Sequence, residues 1–423
     1  MRSHNGAGGL VLGGLLLALP LAVTASQDYD DMSRRELKQM AEESRKQVID
    51  EADGWQTEKM QVDTAVVAGR WNTVPFQTRF FDYPPAKLKA QWGELTRAIR
   101  VPYPSAAYLK KRIEYFPKLR EELGPGFDGD YEALSAEILH AWRLFFRGDF
   151  RAAKEHGARY GAFGKLPAYL AQCIYAVYLA DTRAEKIELL EDVANQITDY
   201  VDVLKALKEV PEFREDYMML RLGYAFAIAR IAEEATPLEA LVNNYLFKVT
   251  HAIDDTLAID PEHPVALAMQ AVKDANIIRF VGKLLGRLTF GARLSRVEEG
   301  FDASVAQEDD LAIVHYEYGN SLIYINRNRD IYRAFEAFNT AIGIHPKSAM
   351  EALDSMYAAK RLRELQDYYL NYRQSFRSFE RERREYMERT DENLHNVLRP
   401  PFLVSRYVEN QDGYVRASLS QSP

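Results

Sequence analysis

Residues 312–346 read AIVHYEYGNSLIYINRNRDIYRAFEAFNTAIGIHP. Apolar residues recur three and four apart, the period of a helix with one buried face. The stretch holds two such runs, separated by the polar turn Ile325-Asn326-Arg327-Asn328-Arg329-Asp330. Tyr318 and Gly319 lie in the first run. Ala334, Phe338 and Ala341 lie in the second, at i, i+4 and i+7, and Ile344-His345-Pro346 closes it. Gly319 and Ala334 lack bulk, so two antiparallel helices can approach closely where they cross, and Phe338 fills the space between them. Ala341 leaves room for the next unit's helix. Pro346 stops the second helix because it has no N–H to donate.

The same period runs from about 130 to 360, without strand-like alternation. Helices come in pairs joined by short polar turns such as Arg147-Gly148-Asp149, Ala180-Asp181-Thr182 and Glu234-Ala235-Thr236-Pro237. Short turns force consecutive helices into antiparallel hairpins. Weaker copies of the unit follow. Leu222-Gly223 and Ala258-Ile259-Asp260-Pro261 bracket one, with Val249 and Thr256 in place of its small residues. Val297, Phe301 and Ser304 form the second helix of another, with Asp309 where Pro would sit. Trp142, Gly148-Asp149-Phe150 and Ala153 mark an early one.

These residues resemble the tetratricopeptide repeat, a helix–turn–helix unit of about 34 residues. The match is specific for 312–346 and suggestive over 130–310. Turns and helices are longer than in the standard unit. The helical part is also similar to exported proteobacterial repeat proteins of unknown activity. Phe127-Asp128-Gly129-Asp130-Tyr131, Phe145-Phe146-Arg147-Gly148-Asp149-Phe150 and the segment from Gly286 to Gly291 carry that likeness. A looser likeness links it to the helical-repeat T-component of some periplasmic solute transporters, with no motif that maps residue by residue. The resemblance implies an all-α fold, a right-handed α-solenoid of about five to six hairpins over 130–360. Its ends need caps, because each repeat has an apolar face that a neighbour must cover.

The flanks read differently. Residues 1–25 look like an export signal: Arg2 and His4 precede an apolar run from Leu10 to Val23, too short to span a bilayer, and Val23-Thr24-Ala25 offers small residues for cleavage. Ser26 then stands where a lipoprotein needs Cys. A periplasmic or secreted protein is expected, with no membrane span in the mature chain. Residues 26–54 read as a charged leader helix. Residues 55–129 read as an irregular and helical cap. Within it, 55–84 is extended and aromatic, packs against something else, and has room for a short strand pair. Residues 361–392 read as a charged helix, and 393–423 as a flexible tail.

Composition excludes several functions. With 54 basic against 62 acidic residues, a net charge of −8 argues against a general nucleic-acid binder. The one Cys, Cys173, closes no internal bridge and shares a helical face with Tyr169, Ala176 and Val177, as a buried filler does. No catalytic motif, zinc helix or phosphate loop is written locally, so neither an enzyme nor a cofactor is expected. His140 and His156 lie equally far from Gly148 and would face each other across a hairpin, near Glu137 or Glu155; a metal there is the sharper reading, and interhelix packing the plainer one. The stretch from Gly282 to Gly291 reads as a lengthened link, with Lys283 and Arg287 as an anion contact. Tyr175, Tyr178, Tyr224, Phe226, Tyr316 and Tyr324 fall on first helices of hairpins, which would line a concave groove. The expected function is non-catalytic binding of a protein or peptide partner as an adaptor. The alternative is a ligand-binding accessory protein of solute uptake, with a closed pocket for a small amphipathic molecule between the repeats and residues 55–84. An enzyme of unknown class comes third.

Overall fold

The computed structural model describes residue 55 and residues 59–371, except 125, 236–238, 241–242 and 327–330. It also describes Gln39 and two short strands, Tyr407–Val408 and Val415–Arg416, which pair antiparallel. The remaining regular structure is helical. The predicted export signal, the leader apart from Gln39, and most of the tail lie outside the described residues.

After a segment with only short helical turns, the main helices are α1 (Ala106–Tyr115), α2 (Tyr131–Arg147), α3 (Phe150–Gly157), α4 (Gly161–Tyr178), α5 (Arg183–Thr198), α6 (Val201–Lys208) and α7 (Arg214–Glu234). Then come α8 (Tyr245–Ile259), α9 (Pro264–Val281), α10 (Lys283–Phe290), α11 (Leu294–Gln307), α12 (Ala312–Asn326), α13 (Ile331–Gly343) and α14 (Ala349–Asn371). Their ends follow from local chemistry. The Asp130 carboxylate accepts the N–H groups of Glu132 and Ala133 at the start of α2, and the Thr182 hydroxyl accepts from Glu185 N–H at the start of α5. Gly148 ends α2 in the left-handed region, φ 93°. A Cβ there would lie 2.8 Å from Ala349 Cβ, so the start of α14 rests on this turn.

Neighbouring helices pack in pairs: α2 with α3, α3 with α4, α4 with α5, α7 with α8, α9 with α11, and α12 with α13. Packing also skips one or two helices, as α4 on α7, α9 on α12 and α12 on α14. The quoted unit packs as its composition requires. A Cβ on Gly319 would lie 2.7 Å from Phe338 Cζ, and Ala334, Phe338 and Ala341 are fully buried. Tyr318 stacks on Phe301 of α11, centroids 4.8 Å apart, and ties this unit to the preceding one. His315 also packs, its Nε2 lying 2.8 Å from the Asp309 carbonyl. Pro346 follows the end of α13.

Two expectations change. The strand pair allowed in 55–84 is replaced by a helical turn at Thr64–Val67 and a 3-10 turn at Thr78–Phe81. Asp63 caps the first by accepting from Ala65 N–H. The charged helix expected from 361 is not separate: α14 runs without a break through that point, because no Gly or Pro interrupts 349–371. It packs on α13 and α12, and also reaches back to α2 and α4.

Candidate functional site

The sequence-predicted groove is filled by the chain itself. The segment 55–104 threads from α7 back to α2. Trp55 lies 5.1 Å from Tyr224 of α7, beneath the Arg221 guanidinium at 4.0 Å. Met60 exchanges two 2.9 Å hydrogen bonds with Asn195 of α5: its N–H donates to Oδ1 and its carbonyl accepts from Nδ2. Trp71 stacks on Tyr175 of α4 at 4.2 Å and 14°. Asp82 pairs with Arg143 of α2 at 2.9 Å. Beyond them, Arg97 donates to Asp310 at 2.6 Å and to Glu351 at 2.8 Å, which joins the segment to the starts of α12 and α14.

Tyr175, Tyr178 and Tyr224 are therefore buried, not displayed. Tyr178 donates to Asp354 and meets Tyr357 edge-on at 4.9 Å. Tyr316 packs between Phe338 and Tyr357, both centroids 6.0 Å away. The Arg279 guanidinium covers Tyr324 at 4.2 Å. The corrections have two causes: Trp55 and Trp71 of the N-terminal segment cover Tyr224 and Tyr175, whereas Tyr178, Tyr316 and Tyr324 meet side chains of other helices.

Of the six groove candidates, Phe226 lines open space. That space is a cavity of about 210 Å³, partly open to solvent, bounded by α7, α8, α9, α10 and α12. It does not lie between the repeats and residues 55–84, where a pocket was expected. Its wall is almost wholly apolar, with Leu246 and Val249 from α8, Met269 and Val272 from α9, and Ile313 from α12. Phe280 lines it and is also 36% exposed, which puts this ring at the mouth. By proportion with an apolar cavity of about 150 Å³ that holds benzene, the enclosed part takes roughly eight to ten non-hydrogen atoms.

Five polar side chains break the apolar wall. Arg230, Glu233 and Glu317 form one group: Arg230 holds both Glu233 oxygens at 2.8 and 3.0 Å and Glu317 at 2.5 Å. Burial raises the Glu317 carboxyl above its usual range, against the pull of Arg230. Lys273 and Asn276 form the second group, one turn apart on α9. The Lys273 ammonium meets Asp274 only at 3.8 Å, and burial lowers its proton affinity. The Asn276 Nδ2 donates to the Val272 carbonyl, while its Oδ1 is buried without a partner. A mostly apolar wall with a few polar groups is the usual make-up of a small-molecule site.

The other predicted residues sit elsewhere. Tyr318, Gly319, Ala334, Phe338 and Ala341 pack the α12–α13 unit, as described. His140 and His156 do come together, ring centroids 4.7 Å apart, with Glu137 2.9 Å from His156 Nε2. The two rings thus make a contact between α2 and α3; among the described residues, no group of three His, Cys, Asp or Glu is placed to hold a metal ion. Lys283 and Arg287 are exposed on α10, which is a helix where a link was expected. Gly286 permits it: a Cβ there would lie 3.3 Å from Ile277 of α9. Cys173 is buried, its thiol pushed up to about 12 by desolvation. None of the described helices is long and apolar enough to cross a membrane. No protein-family model matches the chain, and no curated protein or solved structure matches it either.

Proposed function

We propose that this protein is a non-catalytic carrier that holds a small amphipathic molecule in the cavity between α7, α8, α9, α10 and α12. The single observation that carries the reading is the composition of that cavity: an apolar wall, an exposed aromatic mouth, and two polar groups placed to orient a ligand. An apolar tail would occupy the wall. A polar head would reach Lys273 and the open acceptor of Asn276. The role fits the second reading from sequence, a ligand-binding accessory protein of solute uptake, with the pocket relocated. The adaptor reading is weaker, because Tyr175 and Tyr224 are covered by Trp71 and Trp55, and Tyr178 is buried too.

The reading keeps three further expectations from sequence. The hairpins stack as a right-handed α-solenoid akin to the tetratricopeptide repeat, the first 25 residues direct export, and the carrier works in the periplasm or outside the cell. Native mass spectrometry of protein isolated from its own cells tests the central point. The carrier reading predicts a non-covalent adduct of one amphipathic species, absent from Val272→Trp, whose indole would fill the cavity. Wild type free of any adduct, or an adduct that survives in the filled variant, would overturn it.

A further inference from the structure

The mouth of the cavity carries a second feature that the carrier reading does not use. Helix α10 straddles it. Phe280 and Val281, just before the helix, and Phe290, at its end, all line the cavity. The helix between them lies on α9 through Gly286 and turns Leu284 and Leu288 outward. Leu284 is 63% exposed and Leu288 72%, both among the most exposed large apolar side chains of the described residues. They lie at i and i+4, so they form one ridge. Clustered apolar exposure beside an apolar cavity marks an interaction surface.

Charge says which kind. The chain carries a net −8, yet no acidic residue occurs between Asp274 and Glu298, while Arg279, Lys283, Arg287, Arg293 and Arg296 all fall there. Lys283, Arg287, Arg293 and Arg296 are exposed. Arg279 covers the face of Phe280 at 5.3 Å, so the mouth itself is basic and aromatic. An exposed leucine ridge within a purely basic stretch matches an anionic lipid surface: leucines enter the acyl boundary and lysine and arginine meet the headgroups. A protein partner of comparable shape would have to be both acidic and apolar along one short ridge.

We propose that α10 docks the protein on an anionic lipid bilayer, with Leu284 and Leu288 inserted and Lys283 and Arg287 on the headgroups. This sets the cavity mouth against the membrane, where an amphipathic ligand can pass without crossing water. The docking surface stands on its own observations; only its purpose draws on the carrier reading.

A label on the ridge tests it in the full chain. Leu288→Cys is labelled with a nitrobenzoxadiazole dye; Cys173, the sole native cysteine, is buried and stays unlabelled. Vesicles of phosphatidylcholine with phosphatidylglycerol should blue-shift and brighten the emission, and phosphatidylcholine alone should do so far less. Lys283→Gln with Arg287→Gln should weaken the partition about 30-fold. The same dye at Tyr115→Cys, an exposed site on α1, should not respond. A silent dye at 288, or an equal response at 115, would overturn the proposal. Silence at 288 is the result a protein-docking face gives, and also a chain held to vesicles only by its N-terminal apolar run. The readout needs no ligand in the cavity, so docking and carriage fail separately.

Discussion

Asp354 is 3% exposed and accepts a hydrogen bond from Tyr178. Desolvation raises its carboxyl to about 7; Glu351 and Glu317 add to the rise, and Tyr178 and Arg230 oppose it. The folded chain thus binds this proton more tightly than the unfolded chain. The stability it contributes is fully present below about pH 4 and is lost as the pH rises through 7. Asp354→Asn keeps an acceptor for Tyr178 and cannot ionise. It should exceed wild type in stability at pH 8, by on the order of 4 kcal/mol. Urea unfolding at pH 4.5, 6 and 8 should show that gap close toward acid; a gap constant with pH would contradict this account. Gly319→Ala tests packing at the same scale. Its Cβ would meet the fully buried Phe338 ring at 2.7 Å. A cost of about 1–3 kcal/mol is expected in thermal or urea unfolding, partly relieved by Phe338→Leu. This contact was legible in sequence, because a small residue and a large ring at repeat spacing have only one way to fit. Asp354 was not: its burial depends on α4, α7 and α12 converging on α14.

Among elements, the segment 55–104 does most to separate sequence from structure. The aromatics of 55–84 were read as packing against something else, and the structure seats Trp55 and Trp71 on helices of the same chain. Which faces they cover was hidden, since Trp55–Tyr224 and Trp71–Tyr175 join positions more than a hundred residues apart. No local spacing encodes such a pair. The groove tyrosines were given to a concave surface, but Tyr175, Tyr178 and Tyr224 are buried. The structure makes the segment an integral strap. Trp71→Ala should cost about 3–5 kcal/mol and expose the strap before the hairpins. Hydrogen exchange by mass spectrometry should show faster exchange over 60–83 while α12 and α13 stay protected. Uniform protection across both regions would mean the strap contributes little. Helix α10 was the other misread element. Gly282, Gly286 and Gly291 looked like a link, but the outer two flank a helix and the middle one lets it lie on α9.

At the scale of the molecule, the all-helical class was readable from period alone, because the 3.6-residue repeat dictates it wherever one face is buried. The cavity was not readable. It arises where α7, α8, α9, α10 and α12 fail to close on one another, and each apolar wall residue taken singly is an ordinary core residue. One partial signal was present: Lys273 and Asn276 stand one turn apart among the apolar residues of α9, though Gln270, Asp274 and Arg279 share that helix. The carrier reading rests on that space admitting a ligand. Calorimetric titration with 1-octanol, an amphipathic molecule whose nine non-hydrogen atoms match that space, tests this most directly on wild type and Val272→Trp side by side. The account predicts saturable one-site binding to wild type, at least tenfold weaker in the filled variant, with both proteins equally helical. Equal binding by the two, or no saturable binding to wild type, would contradict it.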